Sequence, residues 1–279
     1  SGRFSSSALQ RGVGVNIQQV PAADLHPDYP IRHLHRPASG QWLSADADQI
    51  EYRLFADRAQ NPQVIAAYAA DPDLSFHRHM QAQLNAMPPP SNALTPSTLT
   101  YREVKTLNYA RLYGGGPSRI ASMLGLITPE QLQMLQRTHA GPGHALLVDT
   151  LAILALYEDA IPEVSQMLRN ASLTAMRQGY VTTLLGRRAR LPQGKHFKAL
   201  NRIIQGSAAD VMKMKLVELH EARHRTGLTL RFTVHDSIEG DCPDATCARL
   251  VHDLLNRQSL PLSIPLRWGV KTGTTWGTC

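Results

Sequence analysis

The chain has 279 residues, 43% of them hydrophobic and 18% charged, a composition typical of an ordinary globular protein with one large domain or two smaller ones. Lysine and arginine number 29 against 22 aspartate and glutamate residues, so the net charge is +7 and favours a polyanionic partner, nucleic acid first. No apolar run is long enough to span a bilayer and no signal peptide opens the sequence, which excludes a membrane protein from the expected classes.

The cysteines are odd in number and form no C-x-x-C pair. Cys242, Cys247 and Cys279 therefore predict free thiols in an intracellular, reducing compartment: the cytoplasm or nucleoid, a phage-infected cell or an organelle. A zinc site at Cys242 and Cys247 is not expected, because no further ligand lies nearby at ligand spacing. The sequence begins Ser-Gly-Arg without a methionine, which predicts a fragment or a processed product.

The first acidic candidate lies between a predicted strand and a predicted helix. Residues 1–40 are rich in Ser, Gly, Pro and His and predict loops, after which Trp42 and Leu43 predict a short strand. Apolar residues from Ile50 onward recur at helical spacing. Asp46 stands at the junction, where a helix N-cap is the alternative to a functional role. Asp48 is a spare candidate, but two residues into a helix it should point away from Asp46.

A capped helix follows the breaker-rich loop "MPPPSNALTPSTL". Thr100-x-x-Glu103 is a capping-box pattern, so a helix should begin near Tyr101 and end at the Gly-Gly-Gly-Pro run at 114–117. Four of its side chains fall within an arc of about 80° and suit a triphosphate with a base to stack on. A solvated basic edge with half-buried tyrosines is the alternative. The four residues are Arg102, Lys105, Tyr109 and Tyr113.

The next segments are mostly helical. Residues 145–177 predict helix interrupted near Pro162, "GYVTTLLGRRARLP" predicts a hairpin with a basic tip, and residues 197–225 predict a long helix. On that helix Asn201 and Gln205 share a face, and their amides suit the acceptors of the DNA minor groove. Amides that cap neighbouring backbone are an equally good explanation of this pair taken alone.

The second acidic candidate lies at the tip of a predicted hairpin. Residues 228–234 alternate apolar and polar, which predicts a strand, and Ile238 begins a possible return strand. A helix at about 245–256 and a closing strand, "LRWGVKT", complete the chain. Asp236 at the hairpin tip and Asp46 at a strand end could together hold two divalent ions about 4 Å apart, an arrangement used in phosphoryl transfer. Ordinary Asp-Ser turn chemistry is the alternative.

Read in order, short segments of the chain resemble the motifs of family A DNA polymerases, the group that includes bacterial, phage and mitochondrial enzymes. Motif A of that family, D-Y-S-Q-I-E-L-R, is similar to "SADADQIEYR", and motif B, with spacing K-x-x-x-F/Y-x-x-x-Y-G, is similar to "REVKTLNYARLYG". The match is collinear from residue 3 to residue 236. The other similar segments are "SGRFSSS" with "VNIQQVP", "DLSFH", "GYVTTLLGRRARLP", "NRIIQGSAAD" and "VHDS".

The resemblance implies an α+β fold, namely a right-hand polymerase core with an antiparallel palm sheet and a helical fingers insertion, lacking a thumb. Residues 1–60 would form the first part of the palm, 61–190 the fingers and 191–279 the second part of the palm. The implied activity is DNA-directed DNA synthesis, from dNTPs, on primer–template DNA. A separate chain or a missing segment would supply any thumb or exonuclease.

The resemblance also implies a role for each matched residue. Asp46 and Asp236, with the backbone carbonyl of Ala47, would bind two Mg²⁺ ions as the catalytic centre, with Mn²⁺ able to substitute. Glu51 would be the steric gate against a 2′-hydroxyl. The other residues implied to bind the dNTP are Gln49, His77, Arg102, Lys105, Tyr109 and Tyr113. Those implied to contact DNA are Arg3, Asn16, Gln18, Arg53, Arg188, Asn201, Gln205 and His235.

Two positions depart from the family pattern. The first arginine of motif B lies four residues before the lysine, where this chain has Tyr101, and Arg102 is the candidate substitute. Ser237 replaces the glutamate of motif C, either as an auxiliary group that orients a metal-bound water or with Glu239 taking over the carboxylate.

Serine at this point of motif C is also found in single-subunit phage-type RNA polymerases. An RNA polymerase or reverse transcriptase on the same scaffold therefore stays an alternative, as does a non-catalytic nucleic-acid-binding subunit. The segments "DADQIE" and "QGSAAD" favour a DNA polymerase.

Overall fold

In the computed structural model of this chain, the described residues are 2–4, 16–21, 28, 30–88, 98–139, 141 and 143–279. Most of the predicted loop "MPPPSNALTPSTL", two residues of "HAGPGH" and much of the first 40 residues lie outside them. Among the helices of the described segments, none combines the length and the apolar character needed to cross a bilayer.

Helices and strands follow one another in a mixed order. The helices are α1 Ile50–Ala59, α2 Pro62–Ala70, α3 Phe76–Ala86, α4 Tyr101–Leu112, α5 Pro117–Met123, α6 Pro129–Arg137, α7 Val148–Ala160, α8 Pro162–Gln178, α9 Ala199–Glu221, α10 Arg223–Thr226 and α11 Ala245–Asn256. The strands are β1 Gln41–Ala47, β2 Tyr180–Thr182, β3 Arg188–Arg190, β4 Thr229–Val234, β5 Ser237–Cys242 and β6 Trp268–Gly273.

The chain divides into two compact units by its internal contacts. Unit 1 consists of Ser1–Leu54 and Gln205–Cys279, and unit 2 is Phe55–Ile204. The borders therefore fall inside α1 and α9, whereas the sequence placed them after residues 60 and 190. The assignment of palm and fingers to these units stays a prediction.

Unit 1 is built on a four-stranded antiparallel sheet in the order β4-β5-β1-β6. Because side chains alternate along a strand, Leu43, Ala45 and Ala47 of β1 join Ile238 of β5 on one face. That face packs against apolar residues of α9 and α11 and forms the core of the unit. Asp46 therefore belongs to the opposite face, which leaves its carboxylate outside the core.

The opposite face of the sheet carries a smaller aromatic cluster. Trp42 and Val234 pack there with Val20 and Trp276, and the ring centroids of Trp42 and Trp276 are 6.5 Å apart. Arg32 lies 4.4 Å from the Trp276 ring centroid and donates a 2.9 Å hydrogen bond to the carbonyl of Val20. These contacts hold the segment that contains residues 16–20 on the sheet.

Glycine is required at one position where β5 pairs with β4. Gly240 lies opposite Leu43 on one side and Leu230 on the other. A Cβ atom on Gly240 would lie 2.7 Å from the carbonyl oxygen of Thr229, closer than real Cβ contacts allow. The bulge between Leu230 and Phe232 adjoins this contact.

Unit 2 is mainly helical, with β2 and β3 forming a two-stranded hairpin. The predicted capping box is confirmed, since the Thr100 side chain accepts from the Glu103 amide and the Glu103 carboxylate accepts from the Thr100 amide. Helix α4 ends before Gly114, which has a φ of +72°. A Cβ atom at this position would clash with the carbonyl oxygen of Phe197, so a side chain is excluded. The predicted interruption near Pro162 is also confirmed, because α7 ends at Ala160 and α8 begins at Pro162.

Several predictions for the C-terminal third are confirmed as well. The hairpin of β4 and β5, helix α11 and the closing strand β6 lie where the pattern indicated, and the three cysteines are free. Helix α9 is shorter than predicted and ends at Glu221. Helices α2, α3, α5 and α6 were not predicted individually, although Thr128 and Gln131 form a second capping box that the sequence contained.

Candidate active site

The two strand-end acids meet because β1 and β5 are neighbours in the sheet. Asp46 pairs with Ser237 in the antiparallel register, and the Ala47 amide donates a 3.0 Å hydrogen bond to the carbonyl of Asp236. The two-residue hairpin tip is completed by His235, whose φ of +52° is uncommon for a residue with a side chain. Strand end and hairpin tip therefore place both carboxylates at one edge of unit 1.

Negative charge accumulates at this edge. Desolvation of the Asp46 carboxylate raises its pKa to about 6, and the charges of Asp236, Asp48 and Glu239 act in the same direction, while Lys271 opposes them. Closely spaced carboxylate oxygens with a nearby carbonyl suit a hard divalent cation such as Mg²⁺. In the part of the chain that the structure describes, no group of three or more His, Cys, Asp and Glu residues is arranged as a metal site.

Arg3 lies beside the acids rather than apart from them. Its guanidinium forms an ion pair with the Glu51 carboxylate and lies 3.8 Å from Asp236 Oδ1. Burial raises the pKa of Glu51, and the charge of Arg3 lowers it. The predicted gate and one predicted DNA contact are therefore joined next to Asp236.

A pocket of about 180 Å³ opens at the hairpin tip. It brings three of the predicted DNA contacts together with one of the two acids predicted to be catalytic. Asn16 supports this arrangement locally, because its Oδ1 accepts from the backbone amide of Gln18, and Gln18 Nε2 donates to the carbonyl of Phe4. The lining residues are Arg3, Phe4, Gln18, Ala209, Met212, His235 and Asp236.

Arg53 does not have the role that the resemblance implied. Its side chain is 0% exposed, and the guanidinium donates to the carbonyls of Asp48 and Pro265 and pairs with the Asp48 carboxylate at 3.0 Å. A guanidinium buried in this way cannot reach a phosphate or a base. The ion pair with Arg53 also occupies the carboxylate of Asp48, which the sequence suggested as an alternative to Asp46.

Glu239 is buried and fully engaged by neighbours on the same sheet face. Its Oε1 accepts from the hydroxyls of Ser44 at 2.9 Å and Ser237 at 2.8 Å, and its Oε2 accepts from Trp42 Nε1 at 2.8 Å. The Ser237 hydroxyl also lies 2.9 Å from the carbonyl of Val234. The hydrogen bonds favour Glu239 as a fixed acceptor behind the hairpin over Glu239 as a replacement ligand.

Variants at Ser237 and Glu239 separate these two roles. We expect Glu239→Gln to lower the free energy of unfolding by about 1–3 kcal/mol, since an amide NH₂ would face a buried donor. Ser237→Ala should lower it by about 0.5–1.5 kcal/mol, the value of one neutral hydrogen bond. Urea unfolding measures both effects, and the Mg²⁺ dependence of primer extension should stay unchanged in each variant. A sharply raised Mg²⁺ requirement in Glu239→Gln alone would instead identify Glu239 as a ligand.

The predicted stripe on α4 is exposed in unit 2. Val104 and Leu107 are buried on the other side of the helix. Tyr109 and Tyr113 are tilted toward each other with ring centroids 6.3 Å apart. All four residues of the predicted stripe are exposed: Arg102, Lys105, Tyr109 and Tyr113.

His77 lies against this stripe from α3. Its ring centroid is 5.8 Å from that of Tyr109, and its Nδ1 accepts a 3.0 Å hydrogen bond from Asn108 Nδ2. Tyr157 fixes the amide by donating to Asn108 Oδ1 at 2.9 Å. Desolvation, followed by the charge of Lys105, lowers the pKa of His77 to about 4, so the ring is neutral at pH 7 and carries its proton on Nε2.

Sequence reasoning missed Asn108 and Tyr157. Both side chains point inward from helices, and a polar residue at a buried helical position was the available signal. Together they set which nitrogen of His77 is the donor.

The other residues predicted to bind the dNTP or DNA differ in their burial and hydrogen bonding. Gln49 has a φ of +47° and a buried Oε1 without a hydrogen-bond partner among the described residues. Asn201 is buried and its Nδ2 also has no partner there, whereas Gln205, one turn later on α9, is half-buried. Arg188 is exposed, with its guanidinium 4.9 Å from the Tyr180 ring centroid.

The sequence and the fold resemble known proteins. The family model described as DNA polymerase family A matches residues 1–278. DNA polymerase DpoZ of Acinetobacter phage SH-Ab 15497 is 31% identical over 244 residues, covering 85% of this chain and 35% of the relative. DNA polymerase I of Bacillus caldotenax is 28% identical over 294 residues, covering 99% of this chain and 30% of the relative.

A solved structure shows the same fold. The POL domain of Pol1 from M. smegmatis, in complex with DNA primer-template and dNTP, superposes with a TM-score of 0.72 at 25% identity and covers 94% of this chain and 44% of that chain. The α+β polymerase fold expected from the sequence is confirmed. The chain spans about a third of the length of the curated relatives it matches.

Proposed function

This chain belongs to DNA polymerase family A, and on that premise we propose that it joins dNTPs to a primer 3′-hydroxyl under the direction of a DNA template. The observation that carries the proposal is the meeting of Asp46 and Asp236 at adjoining strand ends. Groups at the ends of paired strands are held in position more accurately than groups on a loop.

Polymerases of this family depend on divalent metal ions. We assign a site for two Mg²⁺ ions, or Mn²⁺ in their place, to Asp46, Asp236 and the Ala47 carbonyl. Bound there, the ions would activate the primer hydroxyl and neutralise charge on the departing pyrophosphate. Desolvation and the neighbouring charges of Asp236, Asp48 and Glu239 raise the pKa of Asp46, and this concentration of negative charge supports the assignment.

Unit 2 supplies the nucleotide contacts in this proposal. Lys105 and Arg102 neutralise the triphosphate, and His77 donates a hydrogen bond from Nε2 to a phosphate oxygen. Tyr109 stacks on the incoming base and sugar, next to Tyr113. Gln49 and Glu51, which belong to unit 1, are assigned to the sugar.

Contacts to DNA come from both units. Arg3, Gln18 and His235 line the pocket at the hairpin tip and are assigned to the primer terminus, with Asn16 shaping the segment. Asn201 and Gln205 are assigned to minor-groove acceptors, and Arg188 to backbone phosphate. The buried Nδ2 of Asn201, which has no hydrogen-bond partner among the described residues, supports its assignment.

Primer extension with each nucleotide and template type tests the proposal. We expect product from dNTPs on a DNA template, and at most trace product from NTPs or on RNA. Efficient use of NTPs would favour the RNA polymerase alternative, and efficient use of an RNA template would favour a reverse transcriptase. Binding of primer–template without any extension would leave a non-catalytic nucleic-acid-binding subunit.

The free cysteines are the basis for a proposed cellular compartment. Cys242, Cys247 and Cys279 are free, which fits an intracellular, reducing compartment. Relatives from bacteria and phages are consistent with it.

Replacing Glu51 tests the assignment of the sugar gate. Glu51→Ala should raise the use of NTPs relative to dNTPs by about 10²-fold, because removing the carboxylate opens room at the 2′ position and a contact of about 2.7 kcal/mol corresponds to that factor. Glu51→Gln, which keeps the size of the side chain, should keep most of the discrimination. Steady-state kcat/KM for paired dNTP and NTP substrates measures the ratio. Equal discrimination in Glu51→Ala and wild type would remove the gate from Glu51.

A further inference from the structure

We propose that Arg78 provides a phosphate-binding guanidinium of the nucleotide site, with the ring of Tyr101 as its platform, so that Arg78 substitutes for the arginine that motif B lacks here. The inference rests on the proposed function, and it names a residue that the motifs did not assign. Arg78 would act together with Arg102, the residue that the sequence indicated for this role.

The contact that carries the inference joins α3 to the first turn of α4. The Arg78 guanidinium carbon lies 5.2 Å from the Tyr101 ring centroid, within the range of a cation–π interaction. Tyr101 stands four residues before Lys105, where the family pattern has arginine. The Tyr101 ring at that position therefore contacts the guanidinium of Arg78, which belongs to a different helix.

The contact between Arg78 and Tyr101 lies next to His77 and Lys105, which are assigned to the triphosphate. His77, next to Arg78 in sequence, has its ring centroid 6.1 Å from that of Tyr101 and 5.8 Å from that of Tyr109. Lys105 lies close enough to His77 to lower its pKa. Tyr101, Lys105 and Tyr109 are successive residues of one i, i+4 row, so His77 contacts the row on both sides of Lys105.

Helical geometry places the cations on two sides of Lys105. Tyr101 is rotated about 40° from Lys105 around α4, and Arg102 is rotated about 60° in the other direction. Arg78, held on Tyr101, thus approaches Lys105 from the side opposite to Arg102. A triphosphate over Lys105 would meet a guanidinium on each flank.

The three cations are available for an anion. Arg78, Arg102 and Lys105 are exposed, and none of them forms an ion pair with a carboxylate among the residues whose placement is described. The acid nearest in sequence, Glu103, is engaged by the Thr100 amide and hydroxyl at 2.7 Å. The N-terminus of α4, a helix of 12 residues, adds its dipole in the same sense.

Equilibrium binding of nucleotide to the protein on a dideoxy-terminated primer–template tests the inference without catalysis. Arg78→Ala should weaken dNTP binding by about 10-fold, the effect of one lost charge-assisted hydrogen bond, and leave dNMP binding unchanged. Tyr101→Ala should weaken dNTP binding several-fold, and Tyr101→Phe should weaken it less, because the ring remains. Arg137→Ala, at an exposed arginine on α6, is the control and should leave binding at the wild-type value.

A rescue variant makes the test specific. If Arg78 substitutes for the missing family arginine, adding Tyr101→Arg to Arg78→Ala should restore most of the lost dNTP affinity. Equal dNTP affinity in Arg78→Ala and Arg137→Ala overturns the inference, as does a loss of primer–template affinity without a loss of dNTP affinity. In both cases primer extension by the wild type would leave the proposed function intact, whereas a wild type that binds neither primer–template nor dNTP would overturn the proposed function itself.

Discussion

Asp46→Asn and Asp236→Asn should each slow nucleotide addition by about 10³-fold or more, which corresponds to a loss of roughly 4 kcal/mol of transition-state stabilisation. Each substitution removes charge from the site at which β1 meets the hairpin tip, and it leaves the backbone pairing of Asp46 with Ser237 in place. Primer–template affinity should therefore stay close to that of the wild type. Single-turnover extension and a binding titration measure the two quantities separately.

The metal-free stability of Asp46→Asn provides an internal check. The folded-state pKa of Asp46 is raised to about 6 from an ordinary value of 3.8, so the wild-type protein loses stability as the pH rises through this interval. Asparagine carries no charge, and the variant should melt at a higher temperature than the wild type above pH 6 when metal is chelated. Inactivity combined with higher stability excludes misfolding as the cause.

Asp253→Asn is the matched control for the acid variants. The Asp253 side chain is exposed on α11, and its substitution should change neither extension nor melting temperature. Extension by Asp46→Asn or Asp236→Asn at a rate near that of Asp253→Asn would refute the assignment of the catalytic pair.

Arg53→Met should lower the free energy of unfolding by about 3 kcal/mol, the largest stability effect that we expect in the chain. Methionine keeps an unbranched stem but leaves the carbonyls of Asp48 and Pro265 without their donor. The substitution also removes the ion pair to Asp48, whose charge acts on Asp46. Chemical denaturation of the metal-free protein measures the loss.

Arg58→Met, at an exposed arginine on the same helix, controls for removal of positive charge. It should leave the free energy of unfolding within about 0.5 kcal/mol of the wild type. If Arg53 were a DNA contact, Arg53→Met would weaken DNA binding at unchanged stability. That outcome would contradict the buried position of its side chain.

The site's local features were readable from the chain because neighbouring residues determine them. The Thr100–Glu103 capping box, the glycine stop of α4 and the alternation that leads to Asp236 depend on residues a few positions apart. The collinear motifs then located Asp46 and Asp236, and in the sheet both lie where the adjoining ends of β1 and β5 meet. Arg102, Lys105, Tyr109 and Tyr113 were likewise found on one exposed stripe, because helical spacing is fixed.

By itself, then, the sequence determined the family, the strand-end position of the acids and the face of α4 that is exposed. Only the tertiary structure decided that Arg53 is buried and donates to the Pro265 carbonyl, that Glu239 accepts from donors of both β1 and β5, and that Arg78 lies over the Tyr101 ring. Apart from the hydrogen bond from Ser237, these contacts join segments far apart in the chain or on different elements, and residue type and spacing do not specify which partner a polar side chain meets. Burial of a polar group depends on the packing of the whole unit. The sequence of a motif therefore does not distinguish an arginine that contacts DNA from one that donates to a buried carbonyl.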